Sequence, residues 1–247
     1  TEGSSLSDSG SISFADSDLG DRPTATEDTK SVSALRADGV TQLVLTNALQ
    51  QAIEAAFSMN TPDPNTNTND GSINWTYSID ESDLNFLTHG ETVTAVFSIT
   101  IDDSNGATPS QDITITITGE NTPPSLTLEQ GDSAAAGINE TNSSLTASGS
   151  LTATDLDLRN TASISDISMV ASGIQEGLLS NAEALRTMLQ VVPAEVLAND
   201  STTSQFNWNF DSGSESFDYL AVGEALVLTY TLTLTDSFGE ADTQDVV

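Results

Sequence analysis

Two aspartates separated by a single residue occur twice in this chain, as Asp16-Ser-Asp18 and as Asp155-Leu-Asp157. Along extended backbone the side chains of residues i and i+2 leave on the same side, so each pair can direct two carboxylates at one point. Like charges so crowded repel, and a cation relieves the repulsion. Ca²⁺, a hard ion that takes roughly six to eight oxygen ligands, suits such a donor set. The competing reading is an acidic, solvated loop, because Asp-x-Asp is a common tripeptide. Its recurrence at equivalent places in the chain favours the metal reading.

Other side chains with chemical potential carry less. His89 is the sole histidine. It precedes a strand pattern within a turn, its counterpart in the second half is Val222, and no Ser or Cys nucleophile motif accompanies it. A surface turn residue is the expectation, and the chain reads as a non-enzyme with no catalytic residue. Trp75 and Trp208 invite a sugar-stacking role, yet each occupies the same place in an alternating strand pattern, which points to packing. Lys30, Arg22, Arg36, Arg159 and Arg186 are scattered and form no phosphate-binding cluster.

The elements that must position the aspartates come in two copies. Gly10-Ser-Ile-Ser-Phe-Ala-Asp16-Ser-Asp18-Leu aligns with Gly149-Ser-Leu-Thr-Ala-Thr-Asp155-Leu-Asp157-Leu. Asn74-Trp75 matches Asn207-Trp208, and Gly90-Glu91 matches Gly223-Glu224. Thr94–Ile101 matches Val227–Leu234, and Asp103-Ser-Asn-Gly106 matches Asp236-Ser-Phe-Gly239. Self-similarity at one long period marks a tandem repeat.

Each copy reads mainly as β-strand. Phe97, Ile99 and Ile101 alternate with polar residues, as do Ile113, Ile115 and Ile117, and Leu228, Tyr230, Leu232 and Leu234. Short alternating runs separated by Gly, Asp, Asn and Pro turns predict a two-sheet sandwich. One segment per copy breaks the pattern. Asn47–Phe57 is rich in Ala, Gln and Leu, and Ser180-Asn-Ala-Glu183 has the form of a capping box, so each copy is expected to carry one short helix that covers a sheet edge or end. Leu185, Met188 and Leu189 have helical spacing in the second.

The joint is Thr118-Gly-Glu120-Asn121-Thr122-Pro123-Pro124, stiffened by two prolines. The expected domains are therefore residues 1–121 and 122–247. The first copy has no counterpart of the predicted strand Ser125–Gln130, and the second none of Ile115–Gly119. With no basic-then-apolar leader before Thr1-Glu2, the expectation is a segment of a longer array, with further repeats on both sides.

Composition narrows the partners. Five bases against 37 acids give a formal charge of −32. Such a field repels nucleic acid and anionic membrane surfaces, and no apolar run approaches the roughly 18–20 residues that span a bilayer. The absence of cysteine excludes disulfides and thiolate metal sites. A monomer is expected. The acid excess fits metal binding and adaptation to salty water alike.

The ordered motifs of the second copy are Gly149-Ser-Leu-Thr-Ala-Thr-Asp155-Leu-Asp157, then Trp208, then Phe217-Asp-Tyr-Leu-Ala-Val-Gly-Glu224, then Tyr230-Thr-Leu-Thr-Leu-Thr-Asp236. This order resembles a VCBS-type repeat, and Thr114-Ile-Thr-Ile-Thr-Gly119-Glu-Asn121-Thr-Pro123 is similar to that family's terminal signature. Thr122 departs from it, standing where the family usually has Asp, which would remove one calcium ligand. The glycine-rich nonapeptides of RTX proteins are absent from the sequence.

The resemblance implies an all-β chain of two tandem immunoglobulin- or cadherin-like β-sandwich domains, found in type I-secreted RTX adhesins at the bacterial cell surface. It further implies Ca²⁺-rigidified extender modules that project a ligand-binding region for adhesion or biofilm formation, with neighbouring repeats of the same chain as partners. By the cadherin analogy, Asp155, Asp157 and Asp236 would meet Glu2, Glu120, Asn121 and the Asp80-Glu81-Ser82-Asp83 turn in one interdomain calcium site. Asp16, Asp18 and Asp103 would face a preceding repeat, and Glu140 a following one. The rival reading is a glycan- or protein-binding β-sandwich module of a secreted protein, with the loop Thr61–Asn74 as the place for its ligand. A third is an accessory sandwich attached to a secreted hydrolase.

Overall fold

The computed structural model describes residues 5–18, 23–60, 70–105 and 108–247. The chain divides into two compact units, Thr1–Glu120 and Asn121–Val247. Each is an all-β sandwich of two antiparallel sheets with one short α-helix.

In unit 1 the strands are β1 (Ser5–Ala15), β2 (Thr24–Leu35), β3 (Gln42–Leu43), β4 (Phe57–Met59), β5 (Asp70–Asp80), β6 (Thr92–Asp102) and β7 (Ser110–Thr118). One sheet has the order β1-β5-β4 and the other β3-β2-β6-β7. Burial alternates along β6, so Val93, Ala95, Phe97 and Ile99 point into the core and the residues between them do not. This is the period-2 pattern of the sequence turned into layers. Phe57 stacks on Phe97 with ring centroids 4.3 Å apart and on Trp75 at 5.9 Å.

Unit 2 repeats the plan. Its strands are β8 (Ser125–Thr127), β9 (Thr146–Thr154), β10 (Ala162–Gly173), β11 (Leu189–Val191), β12 (Glu195–Leu197), β13 (Thr203–Asp211), β14 (Leu226–Asp236) and β15 (Ala241–Val246). The sheets have the orders β11-β13-β9-β8 and β12-β10-β14-β15. Trp208, Leu151, Leu197, Leu232 and Leu234 are fully buried between them. Strand β8 pairs with β9 through Leu126↔Ala153, and no described strand of unit 1 takes the corresponding edge of β1.

The helices are α1 (Asn47–Ala55) and α2 (Ala182–Arg186). Thr46 caps α1 by accepting from the Leu49 N–H, and the helix buries Ile53 in the core. Phe57, expected on this helix, instead opens β4. The cap of α2 also differs from expectation: Asn181, not Ser180, accepts from the Ala184 N–H. Ser180 is drawn away because its N–H and hydroxyl both donate to the carboxylate of the buried Glu215. Asparagine is as good an N-cap as serine, so the helix loses nothing by the exchange. Leu189, expected at helical spacing, opens β11.

The repeated Gly-Glu pairs are turn devices. Glu91 accepts from the Thr88 N–H and Glu224 from the Ala221 N–H, closing the same four-residue turn before β6 and β14. Gly90 at φ +76° and Gly223 at φ +90° supply the left-handed backbone there.

Candidate functional site

In unit 2 two turns and the entering segment converge. Strand β9 ends at Thr154 and delivers Asp155 and Asp157 into the connection to β10. Strand β14 ends at Asp236, and the ladder register sets Asp236 opposite Ala162, the first residue of β10. The segment Asn121–Thr122 leads from the start of the unit toward β8.

The tripeptide Asp155-Leu-Asp157 is not extended, as the sequence reading supposed. The backbone bends at Leu156, and the Asp157 N–H donates to Asp155 Oδ1 at 2.9 Å. A short acceptor side chain competes with the strand ladder for the nearby N–H and turns the chain. The two carboxylates still share one neighbourhood, by a turn instead of by strand alternation. Asp236 does the same in its hairpin, where Oδ1 accepts from the N–H groups of Phe238 and Glu240, each at 2.9 Å.

All three carboxylates are withdrawn from water: Asp155 is 2 % exposed, Asp157 3 % and Asp236 6 %. Two asparagines weave them together. The Asn121 amide donates to Asp236 Oδ2 at 2.8 Å, and the fully buried Asn160 donates to Asn121 Oδ1 at 2.9 Å and to Asp155 Oδ2 at 3.4 Å. Ser237 Oγ donates to Asn160 Oδ1 at 2.6 Å. The Thr122 N–H donates to Asp157 Oδ2 at 2.7 Å. That bond uses the main chain, so it does not depend on the side chain at position 122.

Burial pushes the Asp155 carboxyl up to about 6, and the charges of Asp157 and Asp236 add to it, against the lowering effect of the hydrogen bonds from the Asp157 N–H and Asn160. A buried aspartate raised in this way is one whose charge water no longer solvates and two neighbouring carboxylates oppose.

Three buried carboxylates, linked through the amide N–H groups of Asn121 and Asn160, are hard oxygen donors of the kind a divalent cation takes. Side chains as disposed do not close a coordination shell. Among the described residues, no group of three or more acidic, imidazole or thiol side chains is arranged to hold a metal ion. The Asn121 and Asn160 amides occupy the carboxylate oxygens instead.

The first copy reproduces the turns without the burial. The Asp18 N–H donates to Asp16 Oδ1 at 2.8 Å, and the Asn105 N–H to Asp103 Oδ1 at 2.9 Å, matching Asp157 on Asp155 and Phe238 on Asp236. Asp16 and Asp103 are half-buried and Asp18 is exposed. Glu140 is half-buried in unit 2 and accepts from the Asn142 N–H at 2.6 Å, outside the Asp155 network. Glu120, the last residue of unit 1, is exposed. Glu81 and Asp83 lie in a 3-10 turn, Glu81–Leu84. Glu2 and most of the loop Thr61–Asn74, namely residues 61–69, lie outside the described residues.

Sequence reasoning missed Asn160 and Ser237. Ser237 belongs to the repeated Asp-Ser-x-Gly turn but no ligating chemistry marks it, and Asn160 lies in no repeated motif; the β10–β14 register brings them to Asp155 and Asp236. His89 lies on an exposed turn before β6. Trp208 is buried and its Nε1–H donates to the Ser133 carbonyl at 2.7 Å. Among the described residues no helix is long and apolar enough to cross a membrane. No protein-family model matches this chain, and no curated protein aligns with it.

Proposed function

We propose that the chain is a pair of non-enzymatic, calcium-stabilised extender modules of a large extracellular adhesin at a bacterial surface. The observation that carries this reading is the buried Asp155–Asp157–Asp236 cluster, in which burial, with the charges of Asp157 and Asp236 adding to it, raises Asp155 to about 6. A carboxylate cluster that hydrogen-bonding amides only partly compensate has a standing demand for positive charge.

Asp155, Asp157 and Asp236 would hold the ion, with Asn121 as the neutral oxygen donor. Bound there, Ca²⁺ would supply positive charge and oxygen coordination. The protein's own part is mechanical. The loops after β9 and β14 present the carboxylates, and Asn121 and Thr122 tie the start of unit 2 to them. A ligand that binds only the folded arrangement stabilises it by mass action, and this one would also fix the segment entering the unit. The two copies of one sandwich fit a spacer built by repetition. The charge of −32 keeps such arrays soluble and apart.

Limited proteolysis of the proline-containing segment between the units tests the proposal. Millimolar CaCl₂ is expected to slow cleavage between residues 118 and 124 at fixed ionic strength, and matched MgCl₂ to have little effect. Equal protection by both salts would point to charge screening and remove the calcium mechanism.

A further inference from the structure

Strands β9 and β13 turn a polar face outward. Phe206 and Trp208 are buried, so Asn207 and Asn209 between and beyond them are exposed. The ladder sets Asn207 opposite Ser150 and Asn209 opposite Ser148, which brings two amides and two hydroxyls onto one surface. These four residues floor an open trough of about 540 Å³. Val192, 76 % exposed, stands on the β11 side, and the segment 131–133 on the side of β9.

Asp132 holds that second flank in place. Its carboxylate accepts from Ser150 Oγ and Thr152 Oγ1 at 2.8 Å, from Gln205 Nε2 at 2.7 Å and from the Glu129 N–H at 3.0 Å. Four donors match the roughly four lone-pair sites of a carboxylate, so Asp132 shapes the wall and offers a ligand no free acceptor. The floor is in the opposite state. Among the described residues, no hydrogen bond engages the side chains of Asn207, Asn209 or Ser148.

Unit 1 closes the equivalent positions on themselves. Thr76 stands at the place of Asn209, and its hydroxyl pairs with Ser58 Oγ at 2.8 Å. Asn60 stands at the place of Val192, and its side chain accepts from the Asn74 N–H.

We propose that the trough of unit 2 is a binding site for a neutral glycan, a role separate from calcium binding. A sugar hydroxyl is donor and acceptor at once, as the amides and hydroxyls of the floor are, so pairing is reciprocal and no charge leaves water. Val192 gives the C–H face of a ring an apolar neighbour. Asp132 apart, no charged side chain lies in the walls, and the chain's −32 repels anionic polysaccharides. A peptide would need apolar pockets for anchoring side chains, and this floor of amides and hydroxyls has none. With no aromatic ring in the lining, affinity per site is modest, which a polymeric ligand offsets by rebinding along its length.

Affinity electrophoresis of the full chain in EDTA, in gels containing dextran, mannan or laminarin, tests the site without calling on calcium. At least one of these neutral polymers is expected to retard the chain, and alginate, a polyanion, is not. The Asn207→Ala/Asn209→Ala double variant changes two exposed side chains, so the fold is retained, which an unchanged melting temperature checks. It should weaken retardation at least about tenfold, and Thr76→Ala in unit 1 should leave it unchanged. Absence of retardation by all three polymers, equal retardation of the double variant, or equal retardation by alginate would each overturn the proposal. Retardation by gelatin in place of the polysaccharides, lost in the double variant, would give the trough to a peptide and overturn it as well.

Discussion

The main-chain N–H of Asp157 donates to Oδ1 of Asp155 at 2.9 Å, so a turn, not a strand, brings these two carboxylates into one buried neighbourhood. The same bond joins Asp18 to Asp16 at 2.8 Å in the more exposed copy. Turn chemistry is therefore common to both copies, while the electrostatic tension belongs to unit 2. In chelator at pH 7, Asp155→Asn should raise the stability of unit 2 by about 1–3 kcal/mol, because it removes one buried charge from a repelling set. With calcium added the order should reverse, the variant gaining less than the parent. Thermal melts of both proteins in both buffers check the crossing.

Acidity should act on the same cluster. The folded-state carboxyl of Asp155 titrates at about 6, above its ordinary value of 3.8, so the folded protein binds the proton more tightly. The resulting penalty is fully present above about pH 6 and disappears as pH falls toward 4. In chelator, this group makes unit 2 more stable on acidification through that window. Urea titrations of the parent and Asp155→Asn at pH 4.5 and 7 isolate its contribution, which the variant should lack.

Asp132 should behave in the opposite sense. Burial opposes its ionisation, but the hydrogen bonds it accepts from the Glu129 N–H, Ser150, Thr152 and Gln205 outweigh burial and hold it down to about 2. Its stabilisation is present above the unfolded value near 4 and is lost as pH falls through 2. Asp132→Asn should cost about 2 kcal/mol at neutral pH, since one oxygen acceptor becomes a donor facing donors. Chemical denaturation at pH 7 and pH 2.5 should show the difference shrinking in acid.

The paired Gly149 and Trp208 supply a test of packing. A β-carbon on Gly149 would lie 2.5 Å from the Trp208 ring and equally close to the Ser133 carbonyl oxygen. The ring cannot withdraw, being buried and bonded to that same carbonyl. Gly149→Ala should destabilise unit 2 by about 3 kcal/mol. Gly10→Ala meets Trp75 at 2.6 Å, yet that ring is only partly buried and can move, so the cost in unit 1 should be smaller. Calorimetry of the two variants compares them directly.

Much of this architecture was readable beforehand, and the reasons are local. Phe97, Ile99 and their alternating neighbours announce strands because one face of each is buried. The repeated Gly10/Trp75 and Gly149/Trp208 positions announce two copies of one fold. What local pattern could not disclose is partnership across the sandwich. Ser180 looks like a cap until Glu215, 35 residues away, claims its hydroxyl. Asn160 looks like a loop residue until the Ala162↔Asp236 register places it among three aspartates. The Asp-x-Asp pairs were found by sequence, but their geometry came from a side-chain bond that competes with strand extension.

Isothermal titration of Ca²⁺ into the chelator-stripped chain, beside the Asp155→Asn/Asp157→Asn double variant, tests the central claim most directly. The account predicts saturable calcium binding by the parent at neutral pH, a loss of at least tenfold in affinity in the double variant, and no equivalent isotherm with Mg²⁺. Absence of binding to the parent, or an unchanged isotherm in the double variant, would contradict it.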